Sequence, residues 1–115
     1  HFERMIHHEF FHMIQAKHKR MFDEALWSKF NRTSFKYAEC STCSDRTDLS
    51  LYKNTDGFLT EYSKSIPSED MAEIFSFLMT NKELVEKKIE NDLILKNKVK
   101  YLEKNLKLID NNFIF

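Results

Sequence analysis

Residues 2–22, FERMIHHEFFHMIQAKHKRMF, carry the pattern that decides the fold. Apolar residues recur at Phe2, Met5/Ile6, Phe10, Met13/Ile14 and Met21, at near-helical spacing, and neither Gly nor Pro interrupts them. The spacing predicts one helix over residues 2–22. Inside it, His8-Glu9-Phe10-Phe11-His12 matches H-E-x-x-H. Two His at i and i+4 leave a helix from the same face, so both imidazoles can reach one Zn²⁺. Glu9, one residue past the first of them, is poorly placed to join the same coordination sphere. It can instead hydrogen-bond a metal-bound water, which is the general-base position of a metalloprotease. His7 points about 100° away from His8, and His18 falls on neither ligand spacing. Both are expected to be exposed bystanders.

Working outward, residues 23–30 read as a second short helical piece built on Ala25, Leu26 and Phe30. From 31 to 65 the periodicity fails. Asn, Ser, Thr and Asp are dense there, and the stretch holds Cys40, Cys43 and Gly57. Long irregular segments in small domains tend to be functional, so 31–65 is expected to be an active-site loop region. Ile66-Pro67-Ser68-Glu69-Asp70 is a helix-start signal. Pro suits the first turn, Ser68 is a candidate cap, and Glu69 and Asp70 suit the positive end of the helix. A helix over 67–80 follows, with a break at Asn81. Residues 82–110 then read as one C-terminal helix, with Leu95, Val99, Leu102, Leu106 and Ile109 forming an apolar seam on one face. Such a seam packs on its own domain or receives a partner.

The 115 residues suffice for one domain. Lys+Arg and Asp+Glu are 18 each, which excludes the basic profile of a general nucleic-acid binder. Eleven Phe and 42% hydrophobic residues supply a small core. Single Gly and Pro residues disfavour turn-rich sandwiches and barrels, so the chain reads as mainly α. No run approaches the roughly 18 apolar residues of a membrane span. The first residues, His1-Phe2-Glu3-Arg4, are neither an initiator Met nor a signal peptide, so a processed chain or a piece of a longer one is expected.

A catalytic zinc needs a third protein ligand besides an open position. Cys40-Ser41-Thr42-Cys43 is one source, but pairing both thiols with His8 and His12 closes the site and leaves Glu9 without a role. A local disulfide, or two free thiols, is the simpler reading. Glu69 and Glu73 are the stronger source. They stand at i and i+4 on one face, so one can ligate while the other accepts a hydrogen bond from the free ring N–H of a ligating His. An acidic first turn stabilised by the helix dipole has the same sequence.

The HExxH helix followed by Glu69-Asp70-Met71-Ala72-Glu73 resembles the gluzincin arrangement. Tyr62, seven residues before Glu69, sharpens the likeness. Over residues 1–80 the chain resembles the catalytic domain of anthrax lethal factor and a bacterial group of zinc-binding metallopeptidases with SEDxAE-type motifs. Trp27, Asn31 and Phe35-Lys36-Tyr37 fit that group more loosely. The resemblance implies zinc-dependent peptide-bond hydrolysis. It makes His8, His12 and Glu69 the zinc ligands, with Glu73 the less favoured choice for the third. It makes Glu9 the base, Glu73 the hydrogen-bond partner of a ligating His, and Tyr62 the donor to the developing oxyanion. Zincins place a sheet before the HExxH helix, so this chain would be the C-terminal, active-site-helix part of an α+β domain, with an upstream sheet elsewhere. The implied partner is a peptide or protein substrate. Such peptidases are often exported, which a Cys40–Cys43 disulfide would suit. The competing expectation is a non-catalytic, zincin-derived module that binds a protein through the C-terminal helix.

Overall fold

The computed structural model describes residues 2–43 and 56–115. Thus residues 44–55 of the expected loop region, and His1, lie outside the described residues. Among the described residues five α-helices run in chain order: α1 Phe2–Lys17, α2 Glu24–Ser28, α3 Pro67–Thr80, α4 Lys82–Ile89 and α5 Leu93–Ile109. A 3₁₀ turn, Tyr62–Lys64, leads into α3. No strand occurs among the described residues, so the chain is mainly α.

α3 is the axis of the molecule. Residues 69–78 are buried without a break, and every other helix packs against α3. Its start follows from Pro67. Proline has no N–H to lose and its fixed φ suits the first helical position. That makes Ile66, in extended conformation, the cap residue. Ser68 therefore lies inside the first turn and does not cap the helix, contrary to the sequence expectation. At the other end Asn81 closes α3 and opens α4, its side chain accepting from the Leu84 N–H.

Three expectations about the helices are corrected. First, α1 ends at Lys17 rather than reaching residue 22. Phe22 is buried with its ring 5.2 Å from that of Phe11. On a straight helix the two would stand roughly 16 Å apart along the axis, so the contact requires the chain to turn back. Second, the predicted helix over 82–110 is two helices. Asp92 breaks it: Oδ1 accepts from Leu95 N at 2.9 Å and caps α5, while Oδ2 accepts from Gly57 N at 2.8 Å. Third, most of the apolar stripe that revealed α1 faces away from the core, although Ile14 packs against it. Phe2, Met5, Ile6, Phe10 and Met13 are exposed, whereas the buried face is Arg4, His8, Phe11 and Gln15.

The seam of α5 is absorbed by the core. Leu95, Val99, Leu102 and Leu106 are buried in one cluster with Trp27, Met71, Ile74 and Phe75, and only Ile109 stays open, at 37% exposure. Gly57 leaves no room for a side chain. Its φ is +91°, and a Cβ there would lie 2.5 Å from Ile94 Cγ2. Gly57→Ala is therefore expected to cost about 1–3 kcal/mol, read as a lower urea midpoint at unchanged slope. An unchanged midpoint would show that this turn can rebuild.

Candidate metal centre

α1 and α3 form the most extensive helix pair in the molecule, and the site lies between them. Arg4, His8 and His12 follow at i, i+4 and i+8 along the inner side of α1, while Glu69 and Glu73 follow at i and i+4 on α3. Two polar rows therefore meet. His8 Nε2 lies 3.0 Å from Glu69 Oε1, and His12 Nε2 lies 2.5 Å from the same oxygen. The two Nε2 atoms are 3.2 Å apart. Three donor atoms thus converge on one point. Donors about 2.0–2.1 Å from a tetrahedral zinc stand about 3.3 Å from each other, so this triangle need open only slightly to admit an ion. Two imidazoles and a carboxylate are also a donor set that zinc takes.

Glu73 faces the other side of the same ring. His8 Nδ1 is 2.8 Å from Glu73 Oε2, which also accepts from Arg4 Nη1 at 2.8 Å. Thr60 Oγ1 donates to Glu73 Oε1 at 2.8 Å. Both carboxylate oxygens are partnered in a buried position, as a charge away from water requires. Tyr62, brought in by the 3₁₀ turn, donates to Glu69 Oε2. Glu9 is exposed at the rim. One ligand-type atom each from His8, Glu9 and His12 lies within 4.8 Å of the others. An open cleft of about 540 Å³ begins at His12 and Ser68 and runs along Gln15 and Lys19.

A match between the chain and a family model described as "Putative zinc-binding metallo-peptidase" extends over residues 1–113. The chain belongs to that family. No curated protein and no solved structure matches it. In this family member, then, a group of His8, Glu9 and His12 that could hold a metal ion stands together.

The remaining sequence candidates distribute as follows. Cys40 and Cys43 are joined in a disulfide, which removes both thiols from any closed Cys₂His₂ site. His7 and His18 are half-buried rather than exposed. The ring of His7 meets the Phe75 ring edge-on at 6.4 Å, and His18 lines an apolar groove with Phe10 and Leu106. Sequence reading missed Arg4 and Thr60. Arg4 was detectable, because it stands four residues before His8 on the same helical row; Thr60 carries no local signal.

It also missed a second buried cluster on an adjacent face of α3. Asp70 Oδ2 accepts from Trp27 Nε1 at 3.0 Å, Tyr37 OH at 2.7 Å and Lys98 Nζ at 2.8 Å. Burial pushes the Asp70 carboxyl up and the Lys98 ammonium down, and each charge opposes that push on the other.

Electrostatics at the centre follow from the contacts. Burial works against the charged form of His8, but hydrogen bonds to Glu69 and Glu73 outweigh it and carry its pKa up to about 9. Burial likewise opposes ionisation of Glu69. Hydrogen bonds from His12, His8 and Tyr62 win, and hold the carboxyl well below the usual carboxylate range. The raised His8 pKa contributes stability that is complete below its ordinary value of about 6.5 and lost as pH rises through about 9. The depressed Glu69 pKa contributes stability that is present above about 4.5 and lost as pH falls below it. Chelator-treated protein should therefore show its highest urea midpoint between about pH 4.5 and 6.5, with a decline from pH 7 to 9 that His8→Gln flattens. An alkaline limb unchanged in that variant would assign the decline to other groups.

Proposed function

We propose that this chain hydrolyses peptide bonds by the gluzincin chemistry, with His8, His12 and Glu69 as zinc ligands. One observation carries the reading: Nε2 of His8, Nε2 of His12 and Oε1 of Glu69 converge, while Nδ1 of His8 is held from behind by Glu73. A ligating His commonly gives its second N–H to a carboxylate, which fixes tautomer and ring orientation. Glu69 is favoured over Glu73 as third ligand because it faces both Nε2 atoms. Glu73 meets only the far nitrogen of His8, and its oxygens are engaged by Arg4 and Thr60.

When bound, zinc supplies Lewis-acid polarisation and makes water a nucleophile near neutral pH. The protein's part is proton traffic and charge placement. Glu9, exposed at the rim beside both imidazoles, accepts a proton from the attacking water and delivers it to the departing amine. Burial and the hydrogen bond to Glu69 push the Tyr62 hydroxyl well above its ordinary pKa, which keeps it protonated. By releasing Glu69 Oε2 it can donate to the oxyanion that forms on the substrate carbonyl. The cleft beginning at His12 offers room for a side chain of the substrate. The same reading gives the exposed apolar face of α1 a cover, the sheet that zincins place before this helix. A non-catalytic module acting through the C-terminal helix has less support, since four of the five seam residues are buried in the domain's own core.

The test compares three proteins by metal analysis and by cleavage of a quenched peptide library. Wild type should purify with one zinc and lose cleavage to 1,10-phenanthroline. Glu9→Gln should keep the zinc while cleavage falls by roughly 10²–10⁴-fold. Glu69→Gln should lose the zinc. Cleavage by Glu9→Gln at the wild-type rate would overturn the mechanism. A wild-type protein that takes up no zinc from a buffered solution would overturn the metal site itself.

A further inference from the structure

We propose that Lys98 is a positioning residue for the metal centre, acting through Asp70 to set the rotation of α3 that aims Glu69 at His8 and His12. This rests on the zinc reading above. Lys98 lies on α5, far along the chain from either histidine, and its side chain is fully buried. Its ammonium meets Asp70 Oδ2 at 2.8 Å, the Gly57 carbonyl at 2.8 Å, and the Phe58 and Trp27 rings with centroids at 3.9 Å and 5.5 Å.

Asp70 directly follows Glu69. Consecutive helical residues point about 100° apart and turn together, so whatever clamps Asp70 clamps Glu69. The clamp has three arms, because the same Asp70 oxygen accepts from Trp27, Tyr37 and Lys98. The Gly57 carbonyl extends the effect to the second carboxylate. Gly57 begins the segment that ends at Thr60, and Thr60 donates to Glu73. One buried ammonium therefore underlies both Glu69, which faces the donor triangle, and Glu73, which orients His8.

Stability alone gives no reason to keep such a pair. Apolar residues of similar volume commonly replace a buried ion pair at no loss, while removing one partner strands a charge. Apolar packing would not, however, fix the rotation of α3 through a directional hydrogen bond. Groups that orient metal ligands without touching the metal typically contribute 10–100-fold in metal affinity.

The experiment separates direction from stability. Asp70→Asn/Lys98→Met removes both charges together, so neither is stranded. Leu102→Ala, a cavity variant one turn along the same helix that removes none of the network's polar contacts, is the control. Thermal midpoints, zinc affinity by competition with a chromophoric chelator, and the visible spectrum of the cobalt-substituted protein are measured for each. The double variant should fold cooperatively, bind zinc 10–100-fold more weakly than wild type and show an altered cobalt spectrum. Leu102→Ala should lose thermal stability and keep wild-type zinc affinity. Wild-type affinity and spectrum in a folded double variant would overturn the proposal while leaving the zinc site intact. Absence of zinc binding by wild type would instead overturn the reading beneath it. Should the double variant not fold, Tyr37→Phe decides, since it removes a single hydroxyl donor from Asp70. At least threefold weaker zinc binding supports the proposal, and unchanged binding overturns it.

Discussion

Buried charge must find a partner, and in this small protein that constraint organises the helix pair α1–α3. Arg4, His8, Glu69 and Glu73 are all buried where the two helices meet. Left alone, any one of them would be costly in a medium that solvates ions poorly. They are stable there only as a set. Arg4 and His8 share Glu73 Oε2, and His8 and His12 share Glu69 Oε1. The register of α1 on α3 is thereby fixed, because sliding one helix by a single turn would bring Arg4 or His12 into the place of His8 and break up this pairing. Phe11, on the same inner face of α1, fills the space beside this polar row against Phe22 and Phe75.

The same constraint explains what could be read from the sequence and what could not. The His8-Glu9-Phe10-Phe11-His12 spacing is a local property of one helix, and so is the i, i+4 relation of Glu69 and Glu73. Two local patterns suffice to nominate a site. Apolar periodicity, usually the safer guide, located α1 as a helix but marked its outer face, since the inner face is occupied by the polar row. The break at Asp92 was hidden because the competing partner of that residue, the Gly57 N–H, lies 35 positions away. The turn after Lys17 was hidden for a similar reason: the contact between Phe22 and Phe11 exists only once the chain has reversed. Lys98 was the least legible of all. In sequence it is one of many lysines in a Lys/Glu-rich stretch. Only the fold shows that it is the one turned inward.

α3 serves two buried networks. Glu69 and Glu73 look toward α1, whereas Asp70 looks toward α2, Tyr37 and α5. A helix with acid groups on both sides and apolar residues between them is well suited to hold a ligand set. Contacts on two adjacent faces hold the helix against rotation. The order Glu69-Asp70 puts the two duties on adjacent residues, where coupling between them is mechanical and short.

On the proposed zinc reading, the placement of Glu73 would let the centre exchange hydrogen bonds for metal coordination without collapsing. The Nδ1 side of His8 keeps its carboxylate whatever the Nε2 side faces. A proton on Nδ1 therefore stays where a ligating imidazole needs it, and the ring need not rotate for Nε2 to become a donor to an ion. Glu69 differs. Its Oε1 joins the two histidines and its Oε2 takes the Tyr62 hydroxyl, so binding at Oε1 leaves the Tyr62 contact free to persist or to break. On that same proposed reading, a rigid partner behind His8 and an exchangeable partner behind Glu69 would suit a centre that must stay assembled while the Tyr62 hydroxyl changes acceptor.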